Sequence, residues 1–187
     1  MKKNLRPSIA LTFMLLVLLG FGYPFLLWGI GQLMPENSKG SPIVYNDRIV
    51  GYENIGQSFT SSDYFQGRPS AVRYNAASTG GSNKGPSNPD YLAEVQARID
   101  TFLIHNPEIN KSEIPADLVT ASGSGIDPHI SVQAALIQIP RISKERNIST
   151  AKLNELVISN SEKSLFGMLG PERVNVLKIN LALNNLK

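Results

Sequence analysis

The chain has 187 residues, 18 Lys and Arg against 15 Asp and Glu, a formal charge of +3, and no cysteine. The lack of cysteine excludes disulfides, thiolate metal sites, cysteine nucleophiles and lipid attachment through cysteine. Lys2, Lys3 and Arg6 carry the whole charge excess, since every acidic residue lies at Glu36 or beyond; the balanced remainder excludes the basic face that nucleic acid requires.

The first predicted element is an apolar helix. No charged residue stands between Arg6 and Glu36, and about 20 apolar residues suffice to cross a bilayer. A cleaved secretory leader also begins with a basic tail, but its apolar region runs about 7–15 residues to a small-x-small site. Here apolarity continues through Phe25, Leu26, Leu27, Trp28 and Ile30, and the small pairs are glycines such as Gly20 and Gly22. A retained span over 9–34 is therefore expected, kinked at Pro24, with Tyr23 and Trp28 at the interface. Gly20, Gly22, Gly29 and Gly31 would let partner helices approach closely. The positive tail places residues 1–8 in the cytoplasm and 35–187 outside, as a single-pass protein. The roughly 150 residues after the span make one domain of ordinary size.

After Ser38, the β-rich pieces Ile43–Tyr45 and Ile49–Val50 flank Asn46-Asp47 and predict a hairpin, with a further strand near Ile55 to Phe59. Ser61 to Asn88 is dense in Gly, Ser, Asn and Pro without a periodic apolar face, and its aromatics predict an ordered surface loop. A helix follows, capped by Asn88 with Pro89 at N1 and Asp90 in the first turn; Leu92, Val95, Ile99, Phe102 and Leu103 share a face, and Asn106-Pro107 ends it. Pro115 to Val119 reads as a short buried strand. Ser131 caps a second helix bearing Val132, Ala135, Leu136, Ile139 and Ile142, kinked at Pro140. A third helix spans about Thr150 to Leu165, carrying Leu153, Leu156 and Val157, with Gly167 and Gly170-Pro171 breaking it. Alternating Leu177, Ile179, Leu181 and Leu183 predict a C-terminal strand. The soluble part is α+β.

Gly80 to Gly85 has the spacing of a phosphate loop, but Pro86 stands where the motif needs lysine, which favours a glycine turn into the Pro89 helix. A backbone anion nest near Arg68, Arg73 and Lys84 is the weaker alternative. Ser124 in SGSG, with Asp127 and His129 nearby, permits a serine hydrolase reading; triad partners normally converge from separate elements, which favours a braced loop held by Asp127 and His129. His105 and His129 lack a second ligand at metal spacing, so no metal site is expected. The Tyr64–Asn88 and Thr120–His129 segments are expected to form one continuous partner-facing surface, with Tyr64, Arg68 and Tyr74 as its contact residues.

The strings YFQGRPS (64–70), YNAAS (74–78), GGSN (80–83), GPSNP (85–89), DLVTASGSG (117–125), DPHIS (127–131) and RVNVL (173–177) resemble the C subunit of Kdp-type potassium-transporting P-type ATPases, over nearly the whole chain. Gln66, where the family commonly has tryptophan, and Thr79 are small departures. The resemblance implies a non-catalytic accessory subunit of a high-affinity, ATP-driven potassium uptake pump in the cell inner membrane. Its implied partners are a channel-like potassium-binding subunit, an ATP-hydrolysing subunit and a possible small fourth subunit. It also implies a catalytic chaperone that promotes ATP binding by the ATPase subunit. No intrinsic cofactor is implied; ATP would come through the partner, and potassium is the transported ion. From a domain outside the membrane, an effect on nucleotide must pass through the helix. The contrasting reading is a membrane-anchored extracytoplasmic serine hydrolase using Ser124 and His129.

Overall fold

The computed structural model describes residues 2–34, 40–164 and 166–186. Pro35, Glu36, Ser38 and Leu165, used above, lie outside the described residues. The chain divides into two compact units, Met1–Ser41 and Pro42–Lys187.

The first unit is helical: α1 (Lys2–Val17), a π turn (Leu18–Gly22) and α2 (Tyr23–Gln32). Asn4–Gln32 is 29 residues long with mean hydropathy 2.2, long and apolar enough to cross a membrane. Pro24 does not end the helix. Its ring cannot donate to the preceding turn, and the wider turn just before it, in which Tyr23 N–H bonds to Leu18 O, accommodates it.

The second unit opens with the expected hairpin, β1 (Pro42–Tyr45) and β2 (Arg48–Tyr52), antiparallel with Tyr45 opposite Arg48. Asn46 and Asp47 both take positive φ, 51° and 61°, as a two-residue hairpin turn requires. No further strand follows: Ile55 only bridges back to Tyr52, and Gly56 N–H instead bonds to Ile126 O. Residues 61–88 form neither helix nor strand. Helix α3 (Pro89–His105) starts as read, with Asn88 Oδ1 accepting from Tyr91 N–H at 3.0 Å. Of its apolar face only Phe102 is fully buried.

The core lies around a three-stranded antiparallel sheet in the order β3-β5-β4, formed by β3 (His129–Ser131), β4 (Ser161–Glu162) and β5 (Arg173–Asn175). Two strands pass directly into helices whose caps are their own last residues. Ser131 caps α4 (Val132–Leu136), and Asn175 caps α7 (Val176–Asn185). Between them run α5 (Ile139–Arg146) and α6 (Thr150–Ser159). Phe65, Ile130, Ala134, Ala135, Ile142, Leu153, Val157, Val174, Ile179 and Leu183 are all buried in one cluster.

Four further sequence expectations are corrected. Pro115–Val119 is not a strand; Ala116–Leu118 is a 3-10 turn, which buries the adjacent Leu118 and Val119 together and aims the Asp117 carboxylate at Ser131 N–H, 2.7 Å away. The helix after Ser131 is two helices, because Pro140 begins a new one more readily than it continues an old one. Helix α6 stops at Ser159 and the chain turns into β4. The C-terminal segment is helical: Val176, Ile179, Asn180 and Leu183 are buried at helical spacing, and the period-2 reading failed by ignoring Asn180.

Candidate functional site

The Gly/Ser/Asn-rich loop is fixed to the domain by side-chain amides. Phe65 is fully buried. Its N–H donates to Asn180 Oδ1 and its carbonyl accepts from Asn180 Nδ2, both at 2.9 Å. At the next residue, Gln66 N–H donates to Gln138 Oε1 at 2.8 Å, while Gln138 Nε2 donates to Gln66 O at 3.2 Å. Two consecutive residues thus receive from α7 and the α4–α5 junction the bonds that a neighbouring strand would otherwise supply. Arg141, also buried, donates from Nη1 and Nη2 to Tyr64 O at 3.1 Å, from Nη2 to Gln138 Oε1 at 2.8 Å, and from Nε to Asn106 Oδ1 at 3.0 Å. Burial lowers its guanidinium pKa, and Glu145 and Asp63 oppose the shift.

The outer part of the loop is joined to residues 120–129. Ser122 N–H bonds to Pro69 O at 3.0 Å and Gly80 N–H to Ser124 O at 2.9 Å. Ser70 Oγ donates to Gly125 O and accepts from Tyr74 N–H. Gly125 has φ +72°, and a Cβ there would lie 2.5 Å from Val72 Cγ2 and 2.7 Å from Gly80 O; only glycine fits. The two polar segments are therefore one surface, as expected. Arg73, 75–79, 83–87, Gly123 and Ser124 are exposed on it. An open groove lies beside it, lined by Arg68, Tyr74, Arg98, Phe102 and His105 among others.

Tyr64, Arg68 and Tyr74 are half-buried and each is engaged within the domain. Tyr64 donates to Asn184 Oδ1 at 2.9 Å, packs against Phe59 and lies under the Arg146 guanidinium at 4.5 Å. Arg68 pairs with Asp127 at 3.0 Å. The Tyr74 hydroxyl donates to Arg68 O, and burial, with Asp127 adding to it and Arg68 opposing, pushes its pKa up to about 12. In the second segment Asp127 Oδ1 accepts from His129 N–H at 3.0 Å. Burial alone would raise the Asp127 carboxyl, but contacts from the His129 side chain and backbone and from Arg68 outweigh it and hold the pKa at about 2.

The hydrolase geometry is not formed. His129 directs Nδ1 to Asp127 at 3.7 Å and Nε2 to Glu162 at 3.6 Å, so both ring nitrogens face carboxylates. Ser124 Oγ accepts from Ile126 N–H at 3.2 Å. The phosphate-loop frame is a glycine turn, with Asn88 N–H on Gly85 O and Lys84 paired to Glu94 at 2.9 Å. Arg68 and Lys84, two of the three cations near which a backbone anion nest was the weaker expectation, are thus each paired to a carboxylate. Among the described residues no group of three or more His, Asp or Glu is placed to hold a metal ion.

Sequence reasoning missed Asn106, Gln138, Arg141 and Asn180, which hold the loop. The available signal was a polar side chain inside an apolar run, as in Ile137-Gln138-Ile139 and Ile179-Asn180-Leu181; such a residue, once buried, must find partners.

Residues 5–185 match the family described as KdpC, K+-transporting ATPase, c chain. The chain is 54% identical over 185 residues to a protein of Flavobacterium johnsoniae, covering 99% of this chain and all of that one. It is 46% identical to one of Caldanaerobacter subterraneus (98% and 95% covered) and 48% identical to one of Bacillus cereus (97% and 95%). All three relatives are named potassium-transporting ATPase KdpC subunit.

Proposed function

The chain belongs to the family of K+-transporting ATPase c chains, and from that premise we propose that it is a non-catalytic accessory subunit of a high-affinity, ATP-driven potassium uptake pump. The full-length family match carries the reading. The apolar helix crosses the cell inner membrane with residues 1–8 cytoplasmic and docks against helices of a channel-like, potassium-binding subunit and an ATP-hydrolysing subunit. The α+β domain lies outside and caps the potassium entrance. The joined 61–88 and 120–129 surface meets the partners, with Tyr64, Arg68 and Tyr74 as contacts and Asp127 and His129 as braces. The subunit promotes ATP binding by the ATPase subunit without holding a cofactor of its own. From outside the membrane, that influence travels through the helix.

Deleting the chain from cells that depend on the pump tests the role. Growth at limiting potassium and potassium-stimulated ATPase activity should fall, and the full chain should restore both; undiminished activity without it defeats the proposal. Protease added to sealed cells should cleave the domain, and protection there would reverse the orientation.

A further inference from the structure

Leu19 stands near the middle of the apolar helix Asn4–Gln32, and its carbonyl is left without a donor in that helix. Such an oxygen accepts from the N–H four residues on, or five on within a π turn. The first is Tyr23, whose N–H bonds to Leu18 O; the second is Pro24, which has no N–H. The Gly20 carbonyl loses its α-helical donor to the same proline. With no side chain at Gly20, where an added Cβ would meet no atom within 4 Å, a neighbouring helix can come close to this stretch of backbone.

The depth of the site selects its occupant. In hydrocarbon an unpaired carbonyl is costly, because neither acyl chains nor bulk water supply a donor there. A charged donor is expensive at the same depth, which leaves a neutral hydroxyl or amide. A second copy of this chain is a poor source. From Phe13 to Gly31 the only side chains that donate are Tyr23 and Trp28, and Thr12 and Gln32 lie about 10 Å and about 20 Å along the axis from Leu19. A parallel copy would therefore bring Tyr23 alone near that level. We propose that the Leu19 carbonyl, with Gly20 beside it, accepts a hydrogen bond from a neutral hydroxyl or amide side chain on a membrane helix of another chain of the same pump. The inference rests on the accessory-subunit reading and names the chemistry of its helix contact.

The test uses the full chain co-expressed with the rest of the pump. A photo-crosslinking amino acid at Phe21 should form an adduct with a membrane helix of another pump chain. Pro24→Ala returns the missing N–H and lets the helix close its own bonds; co-purification should fall about three- to tenfold, while membrane fractionation and the thermal midpoint of the α+β domain stay at wild-type values. Replacing the hydroxyl or amide on the crosslinked helix by an apolar residue should cost the same factor with the wild-type chain and nothing further with Pro24→Ala. Tyr23→Phe should leave assembly unchanged. A crosslinked helix lacking a hydroxyl or amide side chain, no adduct with another pump chain, additive losses in the paired variants, a Tyr23→Phe loss equal to that of Pro24→Ala, or wild-type co-purification of Pro24→Ala overturns the proposal. If the wild-type chain itself co-purifies with no pump chain, the accessory-subunit reading falls, whereas an assembled pump indifferent to Pro24→Ala removes this bond alone.

Discussion

Asn180 on α7 satisfies both backbone polar groups of Phe65, 115 residues away in sequence, with two hydrogen bonds of 2.9 Å. A loop without regular structure is thereby tied to the domain centre at the point where its one fully buried aromatic side chain enters the core. Replacing Asn180 by Leu keeps the volume but leaves a buried N–H and C=O unpaired, at about 1–3 kcal/mol each. Urea unfolding should show a loss of about 2–5 kcal/mol, and a loss below about 1 kcal/mol would mean that the clasp contributes little.

The Asp127 carboxyl is held at about 2 in the folded chain against an ordinary 3.8. A lowered folded-state pKa stabilises above the unfolded value, and the contribution disappears as pH falls from about 4 through about 2. With discount for partial exposure, the wild type should lose about 1–2 kcal/mol across that interval beyond what Asp127→Asn loses. Parallel denaturation curves for the two chains between pH 5 and 2 would contradict the assignment.

Tyr64 and Tyr74 each combine a half-exposed ring with an internal hydroxyl bond, so bracing and partner contact are separable. Tyr64→Phe with Tyr74→Phe removes the two bonds, at about 1 kcal/mol each, and leaves the ring surfaces. Co-purification should survive this pair and fall when Tyr64, Arg68 and Tyr74 all become Ala. Equal assembly of the Ala set, measured where it folds, would move the interface elsewhere.

Within the span, a Cβ added at Gly20 or Gly29 meets no atom within 4 Å. Gly20→Leu and Gly29→Leu therefore strain nothing in the helix itself, and any effect reports a neighbour. Membrane fractionation should be unchanged while co-purification with the pump drops several-fold. Wild-type co-purification would make these glycines incidental.

Ser124 is exposed, and among the described residues its Oγ bonds locally, to Ile126 N–H. Ser124→Ala should leave potassium-dependent growth and transport within about twofold of wild type and stability within about 0.5 kcal/mol. Abolished activity in an assembled complex would restore the hydrolase reading.

The amino-acid sequence by itself determined the elements whose causes are local. The apolar length of 4–32, the Asn46-Asp47 turn, the Asn88 cap before Pro89, the Ser131 cap and the irregular loop after Ser61 all follow from neighbouring residues. The joining of the loop to residues 120–129 was legible too, from shared composition. Only the tertiary structure decided the C-terminal helix, the division at Pro140 and the loop's means of attachment. Val176 to Leu183 fits either period until Phe65 supplies the two groups that Asn180 must face, and Gln138 and Arg141 acquire their roles only when Tyr64 and Gln66 arrive from 70 or more residues away. A buried polar side chain is specified by its partner, and that partner lies beyond the reach of any local pattern.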